Sequence, residues 1–364
     1  MKNSLKVLCL ILTALVAGCA TALAQQPAEQ PDMTVDGPTR GVVIDGMLKR
    51  INDNYVFPDV AKKMDQAIRD RVQKKEYDQI TSAKQLAEKL TADLQAVSHD
   101  KHLRVRYSHE AIPENKGQQG PTPQEVERFR NYLRMTNFGF EKVERLKGNV
   151  GYLDLRGFTP AEFSAETIVA AMNFLAHTDA LIIDLRRNGG GDPATVALLT
   201  SYLFGPEPVH LNDLYWREGD STHQWWTLPF VPGKRYEGKD VYVLTSKRTF
   251  SAAEEFTYNL KNLKRATIIG ETTGGGAHPG GMRRINEHFH IFVPSGRAIN
   301  PISKTNWEGT GVKPDVEVTA EQALKTAHLT ALKKLLDKAT DPMMIEQLKR
   351  NISDLEKETT EAKN

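Results

Sequence analysis

Between residues 149 and 269, short apolar runs alternate with helical segments, and that alternation admits few architectures. Residues 150–155 and 180–185 are predicted strands, the second apolar enough to be buried on both faces. Residues 241–244 and 266–269 are two more. Helices are expected over 161–176 and from Asp192, as cap with Pro193 in first position, to about Phe204. A third helix opens at Ser251. Strand and helix in turn make an α/β layer domain. Two longer strands are expected near 282–293 and 297–300, flanking the turn Pro294-Ser295-Gly296.

Upstream the periodicity is helical. Val43, Met47 and Ile51 form one stripe, and Val60, Met64 and Ile68 a second. Leu86, Leu90, Leu94 and Val97 form a third, capped by Thr81 or Ser82. The expected organisation is a helical bundle over 41–110, a linker region over 111–148, an α/β core over 149–320 and a helical tail over 321–364. In the tail Ile345, Leu348, Ile352 and Leu355 repeat at heptad-like spacing. Such a helix packs on its own domain or makes a short coiled-coil contact.

The first residues have the pattern of a targeting signal. Lys2 and Lys6 precede the apolar run 7–17, too short for a membrane span and suited to a signal peptide. Cleavage after Ala24 would leave a 1–24 signal peptide and a soluble protein. Val16-Ala17-Gly18-Cys19 has the pattern of a lipobox, which would make the signal 1–18 and put a membrane-anchoring lipid on Cys19. Both expect an exported chain, either a periplasmic or cell-envelope lipoprotein or a secreted protein, with 25–40 as a tether. Cys9 and Cys19 are the only cysteines, so the remainder has no disulfide and no thiol nucleophile. A net charge of +2, with basic residues scattered, gives no reason to expect a nucleic-acid partner.

Four segments could carry chemistry. Ser251 sits at the end of a strand and the start of a helix, where backbone N–H groups and the positive helix end favour an oxyanion. Ser251 and Glu254 also match a capping box, so the serine is either nucleophile or cap. Gly189-Gly190-Gly191, directly after a buried strand, suits an oxyanion hole, a phosphate cradle or a tight turn. The phosphate reading is weak, because no Gly-Lys-Ser/Thr follows. In Ser98-His99-Asp100-Lys101-His102 a histidine at the junction of bundle and first strand could take a serine proton near neutrality. His99 and His109 compete with it on position alone, and His288 with His290 makes a poor metal pair without a third ligand. Glu308, in a Gly/Pro-rich loop, either orients a base or is solvated.

Six runs, taken in order, carry a resemblance. They are Asn54-Tyr55-Val56-Phe57-Pro58, Asp100-Lys101-His102, Asp184-Leu185-Arg186-Arg187-Asn188-Gly189-Gly190-Gly191, Thr249-Phe250-Ser251-Ala252-Ala253-Glu254-Glu255, Gly270-Glu271-Thr272-Thr273-Gly274-Gly275-Gly276-Ala277-His278-Pro279 and Asn306-Trp307-Glu308-Gly309. Together they resemble the tail-specific (C-terminal-processing) serine peptidase family, in the branch of the tricorn protease core and interphotoreceptor retinoid-binding protein. The resemblance implies an α/β fold with a crotonase-like core and an N-terminal helical bundle. It implies a serine endopeptidase acting on a peptide or protein substrate, with no cofactor and no metal. Ser251 would be nucleophile, His102 general base and Glu308 a supporting residue, with the amides of Gly190 and Ala252 as oxyanion hole. With a histidine base, activity is expected to fall as pH drops through about 6–7.

Two departures stand out. The processing branch carries a lysine where this chain has Gly276, so a Ser–Lys dyad is not available. That branch also inserts a PDZ domain, for which 111–149 is too short, so no PDZ domain is expected. The alternative function is a non-catalytic binder of an apolar ligand or peptide on the same fold.

Overall fold

The computed structural model describes residues 30–114 and 123–361. The signal segment, Cys9, Cys19 and the first part of the tether lie outside the described residues. The helices α1 (Gly37–Asn54), α2 (Pro58–Gln73) and α3 (Ala83–Ser98) lead into strand β1 (Arg104–Tyr107). There follow α4 (Pro123–Met135), β2 (Phe140–Leu146), β3 (Val150–Leu155), α5 (Ala161–Leu175), β4 (Ala180–Asp184) and α6 (Pro193–Ser201). Next come β5 (His210–Trp216), β6 (Ser221–Trp226), β7 (Asp240–Thr245), α7 (Ala252–Asn262), β8 (Thr267–Gly270), β9 (Gly280–Arg284), β10 (Phe289–Pro294) and β11 (Gly296–Ile299). The short β12 (Val316–Glu317) precedes α8 (Ala320–Lys338) and α9 (Pro342–Glu361).

The central sheet has the order β12-β8-β7-β4-β3-β2. All neighbours pair in parallel except β2, which runs antiparallel to β3 at one edge. Successive side chains of a strand point to opposite faces. Leu181 and Ile183 of β4 accordingly join Met172, Leu199 and Phe256, from α5, α6 and α7, in one core. Ala180 and Ile182 join Ala327, Leu332 and Leu348, from α8 and α9, in a second core on the other face. Helices on both faces are what a near-continuous apolar strand such as β4 requires. The heptad-like spacing of α9 therefore belongs to a helix packed on its own domain, with Ile352 and Leu355 against the same cluster.

The three N-terminal helices cover a different sheet. Met47, Leu86 and Leu90 share a core with Val105 of β1 and with Phe289, Ile291 and Val293 of β10. β1 pairs antiparallel with β10, with Val105 opposite Ile291, and β9 completes that sheet. The helical region is thus closed by strands from the far end of the chain, so its core does not stop at residue 110. Ser82 rather than Thr81 caps α3, its hydroxyl accepting from Gln85 N–H at 3.1 Å. A third sheet has the order β11-β5-β6.

Two expectations need correcting. Part of 111–148, read as a linker region, forms α4 and β2, and β2 is an edge strand of the central sheet with Val143 opposite Leu153. Its alternation is half-polar, as an edge allows, which hid it among charged residues. The long strand near 282–293 is a hairpin of β9 and β10, with His290 opposite Arg284. Among the described residues no helix is long and apolar enough to cross a membrane.

Ile183 is fully buried at the centre of the sheet. Ile183→Ala should lower the unfolding free energy by about 2–5 kcal/mol in urea titration. A loss well under about 1 kcal/mol would contradict a close-packed double-faced core.

Candidate active site

Ser251 stands where β7 gives way to α7, after a short turn. Its backbone has φ +55° and ψ −123°, a conformation that costs a side-chain-bearing residue on the order of 1–3 kcal/mol. The surroundings impose it. Phe250 N–H donates to the Asn188 carbonyl at 3.1 Å, and Gly274 N–H donates to the Thr249 carbonyl at 2.9 Å. Ser251 N–H donates to a Glu254 carboxylate oxygen at 2.9 Å, which is the glutamate half of the expected capping box.

Glu254 does more than cap. It is fully buried and also accepts from Thr273 Oγ1 (2.5 Å), Gly275 N–H (2.6 Å) and Gly276 N–H (2.9 Å). Burial pushes its pKa up, and these hydrogen bonds offset that only in part. One carboxylate therefore joins the Ser251 turn to the glycine-rich loop after β8.

Gly190 lies against the serine from the loop after β4. A Cβ there would sit 2.7 Å from Ser251 Cβ and 2.9 Å from Ala252 N, and φ is +106°, so glycine alone fits. Its N–H, however, donates to Asn188 Oδ1 at 2.9 Å. Phe158 bonds to both sides of Gly191, through the Gly190 carbonyl and the Asp192 N–H, so the N–H of Gly191 itself turns away from Phe158. Gly191 and Ser251 line one groove. The Ala252 N–H is at the first position of α7, where a helix has no internal acceptor to offer.

His102, between α3 and β1, lines that same groove, whose volume is ≈ 420 Å³. Its ring lies between Phe250 and Phe292, with centroid distances of 4.5 and 5.8 Å. Its backbone N–H donates to Asp100 Oδ1 at 3.0 Å, while ring Nδ1 is buried without a partner. Burial pushes the imidazole down to about 4, and the Asp100 charge only partly opposes this. The expected range of 6–7 is that of a solvated imidazole; two phenyl rings stand here in place of water.

Glu308 reaches a different histidine. One oxygen accepts from Ala277 N–H at 2.5 Å and lies 3.5 Å from His278 Nδ1. His278 Nδ1 is also 2.8 Å from Asp100 Oδ2, to which the Tyr55 hydroxyl donates at 3.2 Å. Burial, then the Asp100 charge, pushes Glu308 up to about 7, with His278 pulling it down. Asp100, His278 and Glu308 have ligand atoms within 4.8 Å of one another, a donor set a metal could use. Asp100 also accepts from His102 N–H and Tyr55 O–H, so the cluster is tied to the segment that carries His102.

Tyr55, Asp100 and His278 all lie in the runs noted in the sequence, yet no spacing marks them as partners. Only the fold brings residues 178 positions apart into contact. His99 is the left-handed C-cap of α3, with φ +57°. His288 lies near Ser108 O at 3.1 Å, at the hairpin end, and no third ligand joins it and His290 among the described residues.

Comparison with known families matches residues 149–318 to peptidase family S41 and residues 39–137 to the N-terminal domain of peptidase S41 in eukaryotic IRBP. Among solved structures, a protein from Parabacteroides merdae described as a peptidase aligns at 20% identity and TM-score 0.58, over 83% of this chain and 99% of that one. A lipoprotein from Streptococcus agalactiae aligns at 14% identity and TM-score 0.54, over 83% and 99%. A protein from Bacteroides fragilis described as an S41 protease aligns at 20% identity and TM-score 0.46, over 56% of this chain and 59% of its own. At such identities the structural likeness speaks for the fold. The two family matches cover the helical region and the α/β core, and the chain belongs to peptidase family S41.

Proposed function

We propose that the protein is an exported serine endopeptidase of the tail-specific type, with Ser251 as nucleophile and His102 as general base. The observation that carries this reading is the backbone of Ser251, held at φ +55° on a strand-to-helix turn. Nucleophile elbows use such a turn to expose a hydroxyl. A plain N-cap serine takes extended backbone and needs no such strain. The crotonase-like class of the core and the absence of a PDZ domain belong to this same reading, as does export, by cleavage after Ala24 or through a lipid on Cys19.

The chemistry follows from the side chains present. Ser251 Oγ attacks the scissile carbonyl carbon while His102 takes the hydroxyl proton. His102 then gives that proton to the amine as the C–N bond breaks, leaving an acyl-enzyme. Water, losing a proton to His102, attacks the ester, and the acid departs as Ser251 recovers its proton. The developing oxyanion meets Ala252 N–H and the positive end of α7. The second donor is assigned to Gly191 rather than Gly190, because the Gly190 N–H is held by Asn188. Glu308 acts through Ala277 and His278, so it is a positioning residue rather than the direct partner of His102.

The lysine of the processing branch is excluded by packing. A Cβ at Gly276 would lie 2.2 Å from Phe250 Cζ and 2.8 Å from His102 Cε1. A side chain at 276 and a histidine base at 102 compete for one space.

Three outcomes test this reading. Ser251→Ala should lower kcat on an unfolded protein substrate by about ten-thousandfold or more, with unchanged circular dichroism; wild-type turnover in that variant would remove Ser251 from the mechanism. Gly276→Ala should lower kcat at least about tenfold by displacing the His102 ring, and unaltered kinetics would show that the ring is not confined there.

The third is the pH profile. A base must be neutral, and His102 stays neutral until pH falls to about 4. The acid limb of kcat/KM should therefore lie near 4, with a smaller inflection near 7 that Glu308→Gln removes. Unfolded His102 would take its proton at about 6.5, so the stability due to its neutral burial is present above that pH and is lost as pH falls towards 4. A single limb at 6–7 that survives Glu308→Gln would contradict the buried imidazole.

A further inference from the structure

Beside Ser251 lies a second, smaller cavity, of ≈ 50 Å³. Ser251 and Gly191 line it, and Leu214, Ala298 and Trp307 supply apolar walls. Glu255 lines it as well. The two neighbouring glutamates differ sharply. Glu254 has a donor on each oxygen, whereas Glu255, 5% exposed, has an Oε1 with no partner. Asn212 lies alongside, fully buried, its amide favouring the charged form of Glu255 but too weakly to offset burial. Native cores rarely leave buried polar atoms unpaired, and those that remain call for an explanation. Neither the fold nor the catalytic steps use this one. Burial pushes Glu255 up to about 8, so at neutral pH it is a carboxylic acid able both to donate and to accept.

We propose that this cavity receives the side chain of the substrate residue whose carbonyl Ser251 attacks, and that Glu255 makes it select serine and threonine. The inference rests on the serine peptidase reading above. Size sets the first limit. A cavity of about 150 Å³ admits a benzene ring, and this one has a third of that volume. Phenylalanine, leucine, lysine and arginine are therefore excluded, the last two despite their charge complementarity to an acid. Among small side chains the polar wall decides. Alanine or valine would leave the Glu255 oxygen unpaired, and serine or threonine would satisfy it. A site built to pair with a hydroxyl rejects the analogue lacking it far more strongly than an apolar pocket rejects a change of size.

The test is cleavage of a proteome-derived peptide library, with sites mapped by mass spectrometry, by wild type, Ser251→Ala, Glu255→Leu and Ala298→Val. Ratios between peptides within one preparation do not depend on how much of it is folded. In wild type, serine should exceed alanine and threonine exceed valine by about tenfold at the residue giving the scissile carbonyl. Glu255→Leu should bring both ratios near one. Ala298→Val, which narrows the cavity, should lose threonine before serine. Wild-type ratios near one, or cleavage after large residues, would overturn the assignment of the pocket, with or without a folded Glu255→Leu. Ratios that persist in Glu255→Leu would overturn the role of that residue. If Ser251→Ala cuts like wild type, or wild type cuts nothing, the peptidase reading itself fails; a silent Ser251→Ala with a flat wild-type profile removes this inference alone.

Discussion

The site depends on one buried carboxylate. Glu254 takes the Ser251 amide on one side and Thr273, Gly275 and Gly276 on the other. The first contact holds the serine in its strained turn. The others fix a loop that would otherwise carry only glycine's freedom. From that loop the order propagates outward: the Gly276 carbonyl accepts from Trp307 Nε1 at 2.7 Å, Ala277 N–H donates to Glu308, and Thr273 Oγ1 accepts from Val312 N–H at 2.7 Å. Removing the carboxylate would strand several buried donors, each worth about 1–3 kcal/mol. Charge-assisted hydrogen bonds also explain how a fully buried carboxylate is tolerated at all.

A second tie joins the N-terminal helices to the core. Tyr55 follows α1, Asp100 follows α3, and His278 and Glu308 come from loops of the core. Their contacts draw these segments together around the groove that His102 lines. The proposed base therefore comes from one region and the proposed nucleophile from another. The β1–β10 pairing makes that meeting obligatory, because it sews the segment carrying His102 to strands beyond Ser251 in sequence. The cationic residues Lys101, Arg104 and Arg106 reach the groove on that same segment.

The central layers could be read from the chain, since β4 is apolar up to Asp184 and α6 and α7 open on recognisable caps. Asp192 and Pro193 start α6 as expected. The edge strand β2 could not, because an edge exposed to water keeps its charges and loses the alternation that marks a strand. The β9–β10 hairpin was hidden for a related reason: β9, Gly280-Gly281-Met282-Arg283-Arg284, is too polar to mark itself as a separate strand, so only the apolar β10 stood out. At the site, Ser251 and the glycine loop announce themselves by position, as local features do. The raised Glu308 and the lowered His102 do not, because each shift comes from groups distant in sequence. The same holds for Glu255, which in sequence is one more glutamate in a helix and in space is a buried acid lining a cavity with Ser251.

The claim that Ser251 is an activated nucleophile is tested most directly by covalent labelling. The wild-type protein is treated at pH 7 with a fluorophosphonate, then digested and mapped by mass spectrometry. The account predicts a single adduct on the peptide containing Ser251, formed much more slowly in His102→Ala. No adduct at Ser251, or labelling that His102→Ala leaves unchanged, would contradict it.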